Sequence, residues 1–170
     1  ESIMANLGLN PADAAAAEGW MSHRNNVPEW RDLLGQGLIA DTIEVSGTWS
    51  QIDAIYEDVV AALKTVPDCV NASAHSSHVY RSGINLYFTF ACMPEDASVM
   101  GDRYLESWNQ ALTATAKAGG GIAHHHGSGR LRRDYLHYDL GENGLALLRT
   151  LKQAIDPQGI LNPGNLLPLK

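Results

Sequence analysis

Apolar and polar positions follow two different periods along the chain, and each period predicts one type of element. Apolar side chains spaced three and four residues apart predict amphipathic helices over residues 49–65, 94–117 and 143–155. Alternating or densely apolar stretches predict strands over residues 39–45, 70–80 and 83–92. A short helix with proline in its first turn is expected from Pro28 to near Gly35. This order predicts an α+β fold in which helices cover an antiparallel sheet.

Turn-forming residues separate these elements and indicate how the strands connect. Arg81, Ser82 and Gly83 suit a tight hairpin between the second and third strands. Gly119 begins a run of three glycines that ends the preceding helix. The tail ILNPGNLLP is rich in turn residues but apolar, so we expect it to dock onto another surface.

The composition is that of one folded domain without a general attraction to polyanions. The 170 residues are 45% hydrophobic and carry a formal net charge of −7, which favours one packed core and argues against nucleic-acid binding. Cys69 and Cys92 are too few for a disulfide framework, which favours a reducing, cytoplasmic compartment. No apolar run reaches the roughly 18 residues that a membrane span needs. Because the sequence starts with Glu1 rather than Met, we expect it to be a piece of a longer polypeptide.

The most unusual stretch is a triple histidine, His124–His126, followed by Gly-Ser-Gly. Glycines let the backbone bend and approach a ligand closely. Arg130, Arg132 and Arg133 follow at once, so the segment joins groups that titrate near neutral pH to fixed positive charge. Such a loop suits an anionic substrate. The alternative is a solvated polar loop that contains one structural histidine.

A metal site is a further interpretation of the same histidines. It would combine His124–His126 with His75 and His78, which lie three residues apart in a strand-like segment. Residues three apart on a strand face opposite sides, and no acidic or cysteine ligand lies close by in the sequence. We therefore predict that no metal is bound.

Two further residues have ordinary interpretations when they are considered alone. Tyr87 lies on the more polar face of its strand, with Asn85 and Thr89, where a packed tyrosine with a satisfied hydroxyl is the usual case. Arg31 lies on the short helix after Pro28 and is typical of a surface ion pair.

Longer segments resemble the C-terminal domain of FAD-linked oxidases of the vanillyl-alcohol oxidase type. The matching segments are DTIEVSGTWS, SHVYRSGINLYFTF, GGGIAHHHGSGRLR and GLALLRTLKQAIDPQGILNPGNLLP, in this order. The resemblance implies a ferredoxin-like antiparallel sheet covered by helices, which forms the substrate or cap domain over residues 1–170. It also implies that FAD is bound mainly by an N-terminal domain outside this chain, and that the sheet itself is incomplete at its N-terminus.

Within this family the sequence is most similar to the alkyldihydroxyacetonephosphate synthase type. The dehydrogenases of D-lactate and D-2-hydroxyglutarate carry a metal-binding histidine where this chain has Tyr87, and a glutamate where it has His125. The synthase type instead shows a triple histidine, a Tyr-Phe-x-Phe strand and an Arg-Asp-Leu helix. Arg31, Tyr87 and His124–His126 match its functional positions.

The resemblance implies a reaction in which the acyl group of acyl-dihydroxyacetone phosphate is exchanged for a long-chain alcohol. Tyr87, His126 and Arg31 would be catalytic. Tyr87 would move protons at the substrate, Arg31 would hold an anionic carboxylate or phosphate, and the triple histidine would polarise the substrate and shape the flavin face. The residues expected beside substrate or flavin are His124, His125, Arg130 and Arg132. The residues expected to contact the cofactor are Asn162 and Asn165. Tyr87 would need neighbouring arginines and the flavin to act as a base near neutral pH.

Two alternatives remain open at this point. One is a general FAD-linked oxidase or dehydrogenase of an α-hydroxy acid or alcohol, and the other is a cap module without catalytic activity of its own. The expected partner is a small-molecule or lipid-phosphate substrate. A transient membrane contact and a homodimer are both compatible with the sequence.

Overall fold

The computed structural model of this chain describes residues 2–10 and 12–168. In these residues the sheet consists of β1 (Ile39–Thr48), β2 (Cys69–His75) and β3 (Gly83–Cys92). The helices are α1 (Ser2–Asn6), α2 (Ala14–His23), α3 (Trp30–Gly35), α4 (Ile52–Lys64), α5 (Met100–Lys117), α6 (Gly129–Arg132) and α7 (Leu136–Ile155). Single 3₁₀ turns at Ala97–Val99 and Arg133–Tyr135 lead into α5 and α7.

The sheet is antiparallel, with the strand order β1, β3, β2. Tyr87 of the central strand has Glu44 of β1 and His75 of β2 as its register partners. The elements follow one another as β1, α4, β2, β3, α5, which is the start of the ferredoxin-like order. On the free edge of β1 a single bridge joins Ser46 to Gly121, with N–O distances of 3.1 and 2.8 Å. The predicted α+β fold with an antiparallel sheet is confirmed.

The hydrophobic core lies between one face of the sheet and helices α4 and α5. Period-two spacing places Ile43, Val45, Phe88 and Phe90 on this face, and all four are buried. The apolar stripes of the two helices cover them, as the helical spacing in the sequence predicts. The buried helix residues are Ile55, Val59 and Leu63 of α4 and Trp108, Ala111 and Leu112 of α5. The opposite face of the sheet is therefore left for polar side chains.

The second strand is shorter than predicted, because a side chain intercepts its backbone. Asn85 Oδ1 accepts hydrogen bonds from the backbone N–H groups of Ser77 and His78, at 3.3 and 2.9 Å. These groups are thereby taken out of the ladder, and β2 ends at His75. The chain still makes the predicted tight turn, since the N–H of Tyr80 donates to the carbonyl of Gly83 at 2.8 Å.

The last helix is longer than predicted and is broken near its start. α7 begins at Leu136 rather than Asn143, and Gly141 interrupts it with φ 61° and ψ 175°. A positive φ of this size favours glycine. The part of α7 after this break contains the amphipathic segment predicted over residues 143–155, which is therefore confirmed as a helix.

Large apolar side chains are exposed at both ends of the chain. Leu147, Leu151 and Ile155 form a stripe on α7 and are 61%, 48% and 73% exposed. Helices α2 and α3 contain no buried residue. Contiguous exposed apolar surface marks an interaction site. Among the described residues no helix combines the length and apolar character that a membrane crossing requires.

Arg132 connects the polar face of the sheet to the segment that carries the triple histidine. The residue is 6% exposed, and its guanidinium donates to the carbonyls of Ile122, Gly127 and Glu44, at 2.9, 3.3 and 3.0 Å. It also lies over the ring of Trp108, with its central carbon 4.8 Å from the ring centroid. We call residues 122–128 the histidine loop. The guanidinium of Arg132 holds both ends of this loop against β1.

We expect Arg132→Met to lower the free energy of unfolding by about 3 kcal/mol, because buried carbonyls would lose a charged donor. Urea denaturation measures this change. Arg130→Met is the matched control, because Arg130 lies two residues away and is exposed. Equal stability of the two variants would contradict the structural role of Arg132.

Candidate functional site

A buried carboxylate lies on the polar face of the sheet. Glu44 projects from β1, opposite to the core, and is 0% exposed. Its Oε1 accepts a hydrogen bond from the amide nitrogen of Asn85 on β3, at 2.6 Å. Its Oε2 is also buried and makes no hydrogen bond among the described residues. Burying a carboxylate is costly unless donors surround it, so this residue determines which side chains must come near.

The three consecutive histidines surround this carboxylate, and His124 donates a hydrogen bond to it. Nδ1 of His124 and Nδ1 of His125 each lie 3.0 Å from Glu44 Oε1, and Nδ1 of His126 lies 3.5 Å from Oε2. The His124 side chain is 17% exposed, whereas those of His125 and His126 are 48% and 40% exposed. Two of the three imidazoles, those of His125 and His126, are therefore open to a ligand.

The charge of the cluster is set by Glu44. Burial raises the pKa of Glu44, but hydrogen bonds from Asn85 and His124 and the nearby His126 outweigh this effect and lower the pKa to about 2. The carboxylate is therefore ionised at neutral pH and can only accept hydrogen bonds. It follows that Nδ1 of His124 carries the proton in the His124–Glu44 hydrogen bond.

Tyr87 lies beside the exposed side of the cluster. Its ring stacks on His75 of β2, with centroids 5.1 Å apart and planes 10° apart, and its hydroxyl oxygen lies 3.5 Å from His125 Nε2. Its ring meets that of His126 edge-on at 5.6 Å. Burial and the Glu44 carboxylate both raise the pKa of Tyr87, so its hydroxyl is protonated at neutral pH. The environment within this chain thus favours Tyr87 as a proton donor and opposes its role as a base.

Tyr80 and His78 join the cluster from the loop between β2 and β3. The hydroxyl of Tyr80 lies 3.0 Å from His124 Nε2. The His78 ring lies 5.3 and 4.9 Å from the rings of His124 and His125. The sequence did not point to Tyr80, because its position in a hairpin turn carries no chemical signal.

Glu44 and Asn85 were also missed as site residues. Glu44 lies between Ile43 and Val45 in the predicted strand, and this alternation is equally typical of a solvent-exposed carboxylate, so the pattern gives no signal of its burial. Asn85 was recognised only as a polar neighbour of Tyr87. The strand register identifies both residues, because it places Glu44 opposite Tyr87, and Asn85 lies two residues from Tyr87 on the same face of the sheet.

The predicted arginines occupy three different environments. Arg132 is buried and holds backbone carbonyls, and its expected place near substrate or flavin stays a prediction. Arg31 lies on α3 with its side chain 81% exposed, and its ion pair is with Glu29 at 2.7 Å. No hydrogen bond or ion pair of the described residues joins Arg31 to Tyr87 or to the histidine loop. Arg130 is exposed beside that loop.

The tail residues predicted to contact the cofactor follow α7. Asn162 is exposed and has φ 47°, and Asn165 is partly exposed. The tail is held by Asp156, whose carboxylate accepts two backbone N–H groups at 3.0 and 2.9 Å, and by Arg133, which donates to the carbonyl of Gly164 at 2.6 Å. No hydrogen bond of the described chain links either asparagine to the histidine cluster, and their cofactor contact stays a prediction.

The structure brings together a different set of possible metal ligands from the one that the sequence suggests. His75 faces Tyr87 rather than the histidine loop. Donor atoms of Glu44, His78, His124 and His125 lie within 4.8 Å of one another, so an acidic group is present after all. Within this group Nδ1 of His124 is hydrogen-bonded to Glu44 Oε1 at 3.0 Å, and the same oxygen also accepts from Asn85, which lies outside the group. The expectation that no metal is bound stays a prediction, and its test is given below.

Comparison with known proteins places these features in a family. The family model of FAD linked oxidases, C-terminal domain, matches residues 1–166. Uncharacterized FAD-linked oxidoreductase YgcU of Escherichia coli (strain K12) is 35% identical over 175 residues, which cover 93% of this chain and 35% of YgcU. Alkyldihydroxyacetonephosphate synthase of Trypanosoma brucei brucei is 30% identical over 172 residues, covering 95% of this chain and 26% of that protein.

A solved structure of alkyldihydroxyacetonephosphate synthase has the same fold over this region. It matches with a TM-score of 0.56 and 25% identity, and the match covers 86% of this chain and 24% of that one. The chain thus spans about a third or less of the length of these relatives. It belongs to the FAD-linked oxidases and corresponds to their C-terminal domain.

Proposed function

We propose that this chain is the substrate-binding part of an FAD-dependent enzyme that exchanges the acyl group of acyl-dihydroxyacetone phosphate for a long-chain alcohol. The observation that carries the proposal is the convergence of Tyr87 and the three histidines on one buried, ionised carboxylate. The relatives named alkyldihydroxyacetonephosphate synthase, one of them 30% identical over 95% of the chain, support the choice of reaction. An N-terminal part of the enzyme would bind most of the FAD.

The open side of the cluster has the chemistry that a flavin ring needs from a neighbouring domain. Tyr87, His125 and His126 offer aromatic edges and exchangeable protons on one partly exposed surface, while the only carboxylate of the cluster is buried. When bound, FAD would supply an electron-accepting ring beside these residues. Asn162 and Asn165 would contact the cofactor from the tail.

The residues of this chain would have different roles according to their charge. Tyr87 is neutral and stands between the edges of two imidazoles, so it can give a proton to the substrate and take it back. His126 lies 3.5 Å from the unpartnered oxygen of Glu44, which stabilises an imidazolium formed there. Arg130 and Arg31 are exposed cations that can meet the phosphate or carboxylate of an anionic substrate.

A second candidate function is the oxidation of an α-hydroxy acid or alcohol. It is favoured by the 35% identity to the oxidoreductase YgcU over 93% of the chain. The same proton-transferring residues would then act in net substrate oxidation. A third candidate is a cap module without activity, in which the exposed stripe on α7 serves only to dock the domain.

Two assays on the full-length protein separate these functions. Exchange of labelled hexadecanol into acyl-dihydroxyacetone phosphate, without net reduction of a dye, is the expected result. Dye reduction by D-2-hydroxy acids without exchange would contradict the proposal in favour of the oxidoreductase. Absence of both activities in a flavin-loaded protein would favour the cap module.

Tyr87→Phe is expected to lower turnover by about 10²–10⁴-fold, because the ring still stacks on His75 while the proton-transferring hydroxyl is lost. Steady-state kinetics of the full-length enzyme measures the effect, and flavin absorbance verifies that FAD is still bound. Tyr56→Phe is the control, because Tyr56 is an exposed tyrosine of α4. Equal turnover of the two variants would exclude Tyr87 from the chemistry.

The full-length protein is expected to contain FAD, whereas the 170-residue chain alone is expected to bind it weakly. The reason is that the described residues show no glycine-rich turn between a strand and a helix that could hold the pyrophosphate. Titration with FAD, followed by flavin fluorescence, compares the two proteins. A stoichiometric complex of the short chain at micromolar FAD would contradict this expectation.

Removal of divalent metals is expected to leave turnover unchanged, because the residues that replace the metal ligands of the dehydrogenases include Tyr87. The full-length enzyme is dialysed against a chelator and assayed before and after addition of zinc or manganese. D-2-hydroxyglutarate dehydrogenase treated in parallel is the control for effective chelation. Loss of turnover that the metal restores would overturn the prediction.

A further inference from the structure

A cleft of about 300 Å³ opens beside the histidine cluster, on the side of Tyr80. Hydroxyl and amide groups line it, and its lining includes no carboxylate, ammonium or guanidinium group. The polar side chains that line it are those of Ser46, Thr48, Gln51, Tyr80, Ser82 and His124. A cleft with this lining suits a neutral group that carries oxygen, and it offers no partner for an anion.

The side chains at this cleft are fixed by their own hydrogen bonds. Gln51 Oε1 accepts the hydroxyl of Thr48 at 2.7 Å, which orients the amide and leaves its nitrogen as a donor. The indole N–H of Trp49 donates to the carbonyl of Tyr80 at 3.1 Å. This bond ties the hairpin turn to the end of β1 and thereby positions the Tyr80 ring.

Tyr80 is the first member of a hydrogen-bonded chain that ends at the buried carboxylate. Its hydroxyl lies 3.0 Å from His124 Nε2, and Nδ1 of His124 lies 3.0 Å from Glu44 Oε1. In a neutral His124 whose Nδ1 proton points to the ionised carboxylate, Nε2 is an acceptor and the Tyr80 hydroxyl is its donor. A hydroxyl, an imidazole and a buried carboxylate in this order form the arrangement by which a hydroxyl group is made basic.

We propose that this cleft binds a neutral hydroxyl-bearing group and that Tyr80 transfers the proton of that hydroxyl to His124. The inference rests on the proposed function, in which a long-chain alcohol replaces the acyl group. It assigns the hydroxyl group of that alcohol to this cleft. Glu44 acts through His124 and is a positioning residue.

The proton transfer balances without a further reactant. The hydroxyl proton of the ligand moves to the Tyr80 oxygen as the Tyr80 proton moves to His124 Nε2. The ligand becomes an alkoxide and His124 an imidazolium, whose Nδ1–H continues to donate to Glu44. The groups around His124 on all sides are Glu44, Tyr80, His78 and His125, and Glu44 is the ionised partner that compensates the new charge.

The test uses the full-length enzyme with Tyr80→Phe, which preserves the ring. Tyr138→Phe is the matched control, because the two tyrosines are 49% and 47% exposed. The Tyr80 variant is expected to lose about 10²–10⁴-fold in kcat with the alcohol, the range for a lost proton-transferring group. KM for the anionic substrate is expected to stay unchanged, because the cleft provides no site for an anion.

A spectroscopic readout tests the hydrogen-bonded chain without relying on turnover. Nitrogen-15 spectra of labelled histidines report which ring nitrogen of His124 carries the proton. We expect the Nδ1–H tautomer in the parent protein, a shift of the Nε2 resonance in Tyr80→Phe, and loss of the tautomer preference in Glu44→Gln. Thermal unfolding verifies that each variant is folded.

The outcomes separate this inference from the proposed function. If Tyr87→Phe inactivates the enzyme while Tyr80→Phe matches Tyr138→Phe, the inference is overturned and the proposed function stands. If the parent enzyme catalyses no exchange, the proposed function fails and the histidine spectra decide. In that case an Nε2–H tautomer of His124 overturns the inference, and an Nδ1–H tautomer coupled to Tyr80 supports it.

Discussion

The ionised carboxylate of Glu44, buried on the polar face of a three-stranded sheet, determines how the surrounding residues are arranged. A buried charge without partners costs several kcal/mol, so the fold is stable only if donors are brought to this point. Asn85 provides one donor from the neighbouring strand and His124 provides another from the histidine loop. Asn85 in turn accepts from the backbone after His75, which ends β2 and frees the segment that carries His78 and Tyr80. One electrostatic requirement therefore accounts for the shape of the strand end and for the position of the loop.

Arg132 supports the same arrangement through the backbone. It donates to the carbonyl of Glu44 and to carbonyls near both ends of the histidine loop, so the positive charge of the guanidinium lies close to the negative charge of the carboxylate without contacting it directly. Burial lowers the pKa of Arg132, whereas the Glu44 charge raises it, and the residue remains a cation. The positive charge of the guanidinium and the negative charge of the carboxylate therefore partly compensate each other across the strand.

The periodicity of the sequence was sufficient to predict the three strands, helices α4 and α5 and the second part of α7, because these segments bury an apolar face of regular spacing. The spacing of Ile55, Val59 and Leu63 predicts α4, and the β-formers around Phe88 predict the central strand. The end of β2 could not be predicted, because it depends on Asn85, which lies ten residues beyond His75. Glu44 and Tyr80 were missed for the same reason, since their roles arise only when the strand register and the hairpin turn bring them to His124. Arg132 was expected near the substrate because charge in sequence does not reveal which arginine is buried.

The geometry also explains why two tyrosines can serve one cluster without duplicating each other. Tyr87 lies near His125 Nε2, at 3.5 Å, and the Glu44 carboxylate helps to raise its pKa, so it keeps its proton until a substrate accepts it. The Tyr80 hydroxyl lies 3.0 Å from Nε2 of a different histidine, His124. Glu44 is hydrogen-bonded to the other ring nitrogen of His124 and would stabilise the proton that Tyr80 transfers in the proposed step. In the proposed reaction, the negative charge of Glu44 thus makes the Tyr87 hydroxyl a donor to the ligand and the Tyr80 hydroxyl a donor to His124. An exchange reaction needs both properties, since one oxygen must leave with a proton while another must lose its proton before it attacks.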